Sequence, residues 1–318
     1  MKKVLLFLCL SVSAYSQIVV GEYRMFDESP DKNKPEAITL LKTKKTLFIL
    51  PSSFSQEEYA AVIAQVWDIT PFEIVEVNTF KEMPDEQRNA KYSAKNYAFF
   101  KLSSMKYTRT TKSGATVDYL FNTLDLSVFE YKKTDKKGKD VFDGYKLATI
   151  FFSPNIDQRQ KEVAAVNPRL FLNFDLGYLR TYLKIVNDKL KSNGFTNCYD
   201  DFYNKVSLKN LKTNKLYIPE SIGIKYNAFS RTEGKKREES ELLEDYKFPY
   251  EIVTEEKLNE LLTSGQEIYF LNYVQVNGNK LISVINSKTG EILYNSKTGL
   301  SYNIKDGDFK SISKKIDD

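Results

Sequence analysis

The chain has 318 residues, 47 Lys and Arg against 42 Asp and Glu, a net charge of +5, and 42% hydrophobic residues. That size suits about two domains with full cores, which excludes a disordered chain, and the mixed charge argues against a nucleic-acid binder. Not one histidine is present. Its absence excludes Ser-His-Asp and Cys-His catalysis and every histidine metal site.

Residues 1–16 read as a secretory leader. Lys2 and Lys3 form the basic start, residues 4–10 the apolar stretch, and Ala14 and Ser16 the small residues before a cut after Ser16. Leu8 before Cys9 argues against a lipoprotein anchor. No other apolar run is long enough for a transmembrane helix. Removing Lys2 and Lys3 lowers the net charge to +3, and Cys198 stays as the one thiol, so no intrachain disulfide forms. Cys198 is read as a buried small residue.

Residues 17–35 are read as an N-terminal arm with a lead-in strand at 18–20. A strand at 46–50 stops at Pro51. Ser55 and Glu58 then predict a capping box, with Phe54 and Tyr59 as a hydrophobic staple. Tyr59, Val62, Ile63, Val66 and Trp67 fall on one apolar helix face, which places Trp67 in the core. A strand at 72–77 follows, then a short helix to Met83 and a polar loop at 84–94. The strand at 96–103 carries apolar residues on both faces, as a central strand does. A polar hairpin tip at 107–114, a long strand at 117–131, a basic loop at 132–139 and a strand at 145–153 complete the run. After a connector at 155–168, Leu176, Leu179, Leu183, Val186 and Leu190 predict a long amphipathic helix ended by Gly194. Its mixed polar face favours packing on a sheet over lying on a membrane.

Residues 195–210 link to a strand at 216–218, a polar insertion at 220–240, a helix at 239–246 and a strand at 250–253. Thr254 is placed to cap a helix bearing Leu258, Leu261 and Leu262, with Glu255 and Glu256 favourable in its first turn. Asn277-Gly278 joins strands at 268–276 and 280–285 as a hairpin. The repeated Asn-Ser-Lys-Thr-Gly at 286–290 and 295–299 reads as two glycine-ended turns around one strand. Asp308 caps a closing helix marked by Phe309, Ile312 and Ile316.

The stretch Pro-Phe-Glu-Ile-Val-Glu at 71–76 recurs as Pro-Tyr-Glu-Ile-Val-Thr at 249–254. Upstream, 41–51 matches 211–219 with two gaps; downstream, 97–102 matches 269–273 in character. Three matches in one order predict an internal repeat. The expected architecture is α/β (α+β): two tandem copies of a mixed-sheet module with helices packed on the sheet, the first over 36–205 and the second over 206–318.

This order, with residues 72–83 and 250–262 beside the strands at 46–50 and 216–218, resembles the anticodon-binding-like α/β module. Versions of it occur in the curli-secretion channel lipoprotein family and in the N-terminal domain of the Tol-system propeller protein. The chain departs from the secretion channel in lacking a lipobox and membrane hairpins, so no pore is expected. The resemblance implies an envelope-located, non-catalytic binding or assembly role, and it carries over no functional residue.

No phosphate-binding glycine pattern is present. Asp200-Asp201 and Asp306-Gly307-Asp308 fit turns and helix caps better than calcium loops. No catalytic, cofactor-binding or metal residue is therefore expected. The expected function is an exported, non-catalytic envelope or secreted protein, periplasmic or extracellular, that binds another envelope protein. The alternative is a histidine-free glycoside hydrolase using two carboxylates. An anionic-lipid surface built on the basic runs at 132–139 and 235–237 is a third reading.

Overall fold

The computed structural model describes residues 17–22, 32–110, 114, 116–153, 171–198, 200–227, 232–276, 279–299 and 301–318. The leader, the connector at 155–168 and the Asn277-Gly278 turn lie outside the described residues. The first module runs β1 (Ile18–Val20), α1 (Pro35–Lys42), β2 (Lys45–Leu50), α2 (Gln56–Ile63), β3 (Phe72–Glu76), α3 (Val77–Glu82), α4 (Asp85–Lys91), β4 (Tyr97–Thr110), β5 (Thr116–Thr134), β6 (Asp140–Phe151) and α5 (Leu176–Lys191). The second runs β7 (Phe202–Tyr203), a 3-10 helix (Ser207–Lys212), β8 (Leu216–Pro219), β9 (Ile224–Asn227), β10 (Thr232–Lys236), α6 (Glu239–Leu243), β11 (Tyr250–Val253), α7 (Glu255–Thr263), β12 (Tyr269–Val276), β13 (Asn279–Asn286), β14 (Ile292–Gly299) and α8 (Asp306–Asp317).

Two six-stranded mixed sheets result. The first has the order β1-β6-β5-β4-β2-β3 and the second, taken from the corresponding end, β7-β14-β13-β12-β8-β11. The directions correspond as well. The central β2 and β8 lie parallel to both neighbours, and the three strands after them form an antiparallel meander. Thr46 lies opposite Phe72 and Ala98, just as Leu216 lies opposite Tyr250 and Tyr269. Glu76 and Thr254 then fall at the same place, and both cap a helix: Glu76 accepts from the N–H groups of Asn78 and Thr79, Thr254 from that of Lys257.

The layers alternate. Helices α1, α2 and α5 cover one face of the first sheet through Phe48, Phe100, Leu124 and Leu126. The far side of α5 packs on the second sheet. Tyr178 meets Phe270 with ring centroids 5.9 Å apart, and the Tyr182 hydroxyl donates to Asn272 Oδ1 at 2.9 Å. One continuous core therefore includes both modules. The outer face of the second sheet is closed by the 3-10 helix, α6 and α8.

The capping box at Ser55–Glu58 and the Phe54–Tyr59 staple are present. Trp67 is buried edge-to-face on Phe48, and its Nε1–H donates to Thr70. Cys198 is buried. Several expectations are corrected. Residues 85–91 form α4 rather than loop, with acids in the first turn and bases in the last. The lead-in strand 18–20 is present as expected, but it belongs to the first sheet as an edge strand and not to a separate arm, and Phe202–Tyr203 of the expected linker pairs with β14. The meander strands extend well past the expected tip, because β4 and β5 stay paired to Thr110 and Thr116. The 220–240 insertion folds into a 3-10 turn and the β9–β10 hairpin. Asn193, not Gly194, takes the left-handed conformation after α5, at φ 51°. Asp308 sits inside α8, where it accepts from the Lys305 N–H at 2.6 Å. The second Asn-Ser-Lys-Thr-Gly lies within β14 instead of forming a turn.

Close approach of α5 and α7 requires a glycine. A Cβ on Gly177 would stand 2.5 Å from Leu262 Cβ, and its N–H donates to Asn259 Oδ1 at 2.8 Å. Gly177→Ala is expected to cost about 1–3 kcal/mol in urea unfolding, through forced displacement of a packed helix.

Glu255 lies in the first turn of α7, as expected. Its oxygens are buried without a hydrogen bond of normal geometry. Burial pushes its carboxyl up to about 7, aided by Glu220 and Glu256; the nearby Ser221 hydroxyl and N–H oppose the rise only in part. The folded chain thus holds a proton that the unfolded chain releases in the ordinary carboxylate range. Stability is greatest below that range and falls as pH rises through about 7. Glu255→Gln is expected to remove this fall and add about 2–3 kcal/mol at pH 8, read from urea melts across pH.

Candidate functional site: an open trench on the first sheet

The two sheets differ in what covers one pair of equivalent faces. On the second sheet the face bearing Phe270, Val274 and Ile285 is covered by α7 and α5 or buried at the junction of the sheets. On the first, α3 and α4 cover only the end near Leu47, Ile49 and Val75. The remainder is a trench of about 1190 Å³ between α4, the end of the β5–β6 hairpin and the meander strands.

Strand alternation fixes what the trench floor presents, since successive side chains point to opposite faces. Phe100, Leu102, Leu124 and Leu126 point into the core. Lys101, Ser103, Asp125 and Ser127 therefore point out and line the trench. Phe80, Phe99, Phe129 and Phe142 supply apolar walls, with Phe99 and Phe129 edge-to-face at 6.0 Å. The strand at 96–103 was expected to be apolar on both faces. Lys101 and Ser103 correct that beyond Phe99, and the alternation they share with Asp125 and Ser127 is the sequence signal of an uncovered face.

Asp125 organises the floor. Its carboxylate accepts from Thr149 Oγ1 at 2.7 Å, Thr123 Oγ1 at 2.8 Å, Ser103 Oγ at 3.1 Å and Lys146 Nζ at 3.2 Å. Four donors fill its acceptor sites, an arrangement in which the carboxylate fixes the position of its neighbours. The two other trench acids are also engaged: Asp85 pairs with Arg88, and Asp140 with Lys95 at 2.7 Å. Lys95, bonded to it, holds the Asp140 carboxyl below its ordinary range. Lys101 and Lys139 have no ion-pair partner among the described residues, so with Arg88 and Lys95 counted beside the three lining lysines and three lining acids the site keeps a positive excess.

Lys44 ties the rim together. Its buried ammonium donates to the carbonyls of Ala94, Lys95 and Phe129, the last at 2.7 Å. It thereby joins the turn after α4 to β5. Burial lowers its pKa, and the three carbonyls supply the compensating dipoles.

A second cleft of about 580 Å³ lies beyond the carboxyl ends of β2 and β3, where α2 and α3 begin. Ligands favour such a place in open α/β sheets. Here the helix-start N–H groups are already taken, by the Ser55–Glu58 box and by Glu76.

Three of the eight basic residues in the two basic runs are engaged within the protein. Lys132 pairs with Glu130 and Asp143, Lys236 with Glu220, and Arg237 donates to the carbonyls of Ile222, Gly223 and Ile304. Asp200 accepts from Asn197, and Asp201 from the Lys297 N–H. Among the described residues no three acidic or cysteine side chains are grouped to hold a metal.

Lys44→Met is expected to lower stability by about 2–3 kcal/mol in urea, because three inward carbonyls lose their donor. Hydrogen exchange is expected to accelerate at residues 94–97 and 129–131, while α8 keeps its protection.

No protein-family model, curated protein or solved structure is similar enough to this chain to count as a match.

Proposed function

We propose that the chain is an exported, non-catalytic binding protein of the cell envelope or extracellular space, and that the trench on its first sheet receives part of another protein. The observation that carries this reading is the unequal use of equivalent sheet faces. The second module's face receives a helix, α5, as a docked element. The first module leaves its face open, framed by phenylalanines and by two lysines without an ion-pair partner among the described residues. Apolar walls around a few fixed polar groups are the usual make-up of a recognition site.

The positive excess favours a partner segment with a carboxylate beside an apolar side chain. Phe99, Phe129 or Phe142 would receive the apolar group, and Lys101 or Lys139 the carboxylate. The carboxylate-pair hydrolase is the weaker reading, since such chemistry needs one acid free to carry a proton and another free to attack or activate water. Each trench acid is engaged with donors or a cation instead.

The test is crosslinking of the tagged protein in native envelopes, followed by mass spectrometry, on wild type and three variants. Lys101→Glu and Phe129→Ala are expected to cut recovery of a stoichiometric partner about tenfold. Lys209→Glu, on the 3-10 helix of the second module, is expected to leave it unchanged. Equal recovery from all four would overturn the trench as the binding surface. A glycan released or cleaved by the purified protein would favour the hydrolase.

A further inference from the structure

The second module shows how a helix sits on the face that the first module leaves open. Tyr178 of α5 lies edge-to-face on Phe270, and Tyr182, one helical turn further on, donates its hydroxyl to Asn272 Oδ1. The match is one of pitch. Four residues of helix rise about 6 Å, and two residues of strand about 6.6 Å. Side chains at i and i+4 of a helix laid along β12 therefore meet successive positions on one face of that strand, and α5 advances in the direction of the strand.

The pairing registers put Phe99 at the place of Phe270 and Lys101 at that of Asn272. The side wall corresponds too. Leu258 follows the Thr254 cap at the same distance as Phe80 follows the Glu76 cap; Leu258 lies in the core with α5, and Phe80 lines the trench. What differs is the second contact. Asn272 is short and buried and takes a hydroxyl. Lys101 is long and exposed. A helix with tyrosine at i+4 would give its ammonium no counter-charge. Glu or Asp there would make a charge-assisted hydrogen bond, and the long lysine makes up the reach that the shorter acid lacks. The floor is the face of a sheet and offers no free backbone groups, so the occupant must satisfy its own, as a helix does.

We infer that the trench takes an amphipathic helix of another protein, with an aromatic residue at one position and Glu or Asp four residues later. The helix lies along β4, its ring on Phe99 and its acid on Lys101. This rests on the reading of the trench as a binding site. The occupant is foreign to the chain, because none of the described helices has that spacing. Four residues after their aromatic positions stand Ile63 for α2, Pro84 for α3, Tyr182 and Val186 for α5, and Ser313 for α8.

The test selects displayed random peptides, long enough for several helical turns, on the purified protein, with counter-selection on Lys101→Glu. Counter-selection keeps only peptides that use the trench. Synthetic copies are then measured by fluorescence polarisation and circular dichroism. The expected peptides carry an aromatic residue and an acid four apart and gain helix on binding. Moving the acid to two residues from the aromatic is expected to weaken binding about tenfold. Changing the acid to Lys is expected to weaken binding to wild type about as much and to restore binding to Lys101→Glu, as coupling between the two charges requires. Lys101→Gln, which removes the charge alone, is expected to weaken the original peptide in the same direction, and thermal melts of both variants are expected to match wild type. Selected peptides that need Lys101 but stay extended, with no four-residue spacing, would overturn the helix and leave the trench as a binding surface. Failure to select any peptide that distinguishes wild type from Lys101→Glu would overturn both. Selected sequences matching a segment of this chain would make the occupant a second copy and overturn the foreign helix.

Discussion

The burial of α5 on nearly every side is the constraint on which the rest of the molecule depends. Sixteen residues form this helix, and ten of them are buried, among them Tyr178, Tyr182 and Asn187. A helix that closes one sheet needs a single apolar stripe. This one closes its own sheet with Leu179, Leu183 and Val186 and also receives Phe270, Leu258 and Leu262 of the second module. Its few inward polar groups are therefore bonded: Tyr182 to Asn173 and Asn272, and Asn187 to the N–H groups of Asp68 and Ile69. Separating the modules would expose the Tyr178 and Phe270 rings and strip Tyr182 of a partner. The hydrophobic and polar costs point the same way, so the modules share one core instead of meeting at a hinge.

The same constraint explains why the two equivalent faces differ in chemistry. The pairing registers place Phe99 with Phe270, Lys101 with Asn272 and Ser103 with Val274. On the neighbouring strand, Ser127 corresponds to Ile285, Asp125 to Ser283 and Thr123 to Leu281. Only the phenylalanine is kept. Where a helix covers the sheet the positions beyond the phenylalanine are apolar apart from Asn272 and Ser283; where none does, they are all charged or hydroxylic. Covering the first face with a second α5-like helix would bury Lys101 and Asp125, at a desolvation cost that apolar contacts do not repay. An uncovered face of this composition suits contact with polar groups better than contact with an apolar helix.

Local chemistry was legible in the sequence wherever a short-range interaction decided the outcome. The Ser55–Glu58 box, the Thr254 cap and the alternating strands needed only neighbours in the chain. Helix α4 was not legible, because none of its residues is buried and its sequence has no apolar stripe. The two Asn-Ser-Lys-Thr-Gly segments show the opposite limit. At 286–290 the Asn286 side chain accepts from the N–H groups of Lys288 and Thr289 and makes a turn; at 295–299 pairing with β13 draws the same residues into a strand. Tertiary pairing overrides local preference there. The downstream match of the repeat was off by one residue, aligning Tyr97 with Tyr269 where the register sets Ala98. That slip exchanges the two faces of the strand. It hides the correspondence of Lys101 with Asn272, and with it the trench, whose walls come from residues between Ile49 and Lys146.

Head-to-tail packing of one module on the next is a heterologous contact, which in principle repeats without end. The outer faces of the two modules lack the surfaces that would continue it. At one end the receiving face carries Lys101 and Asp125 in place of the apolar set that accepts α5. At the other, α8 turns Phe309, Ile312 and Ile316 inward and exposes Lys310, Ser311, Lys314 and Asp317. A helix with that outer face offers nothing like Tyr178 to a further sheet. Polar terminal surfaces serve the same purpose in repeat arrays, where capping units keep the stack soluble. The two ends are not equivalent, however. The outward face of α8 carries no aromatic residue, whereas the trench keeps Lys101 and Lys139, without an ion-pair partner among the described residues, beside four phenylalanines. Solubility alone would require only the charges, so the retained aromatic walls are what favours the recognition role proposed for this face.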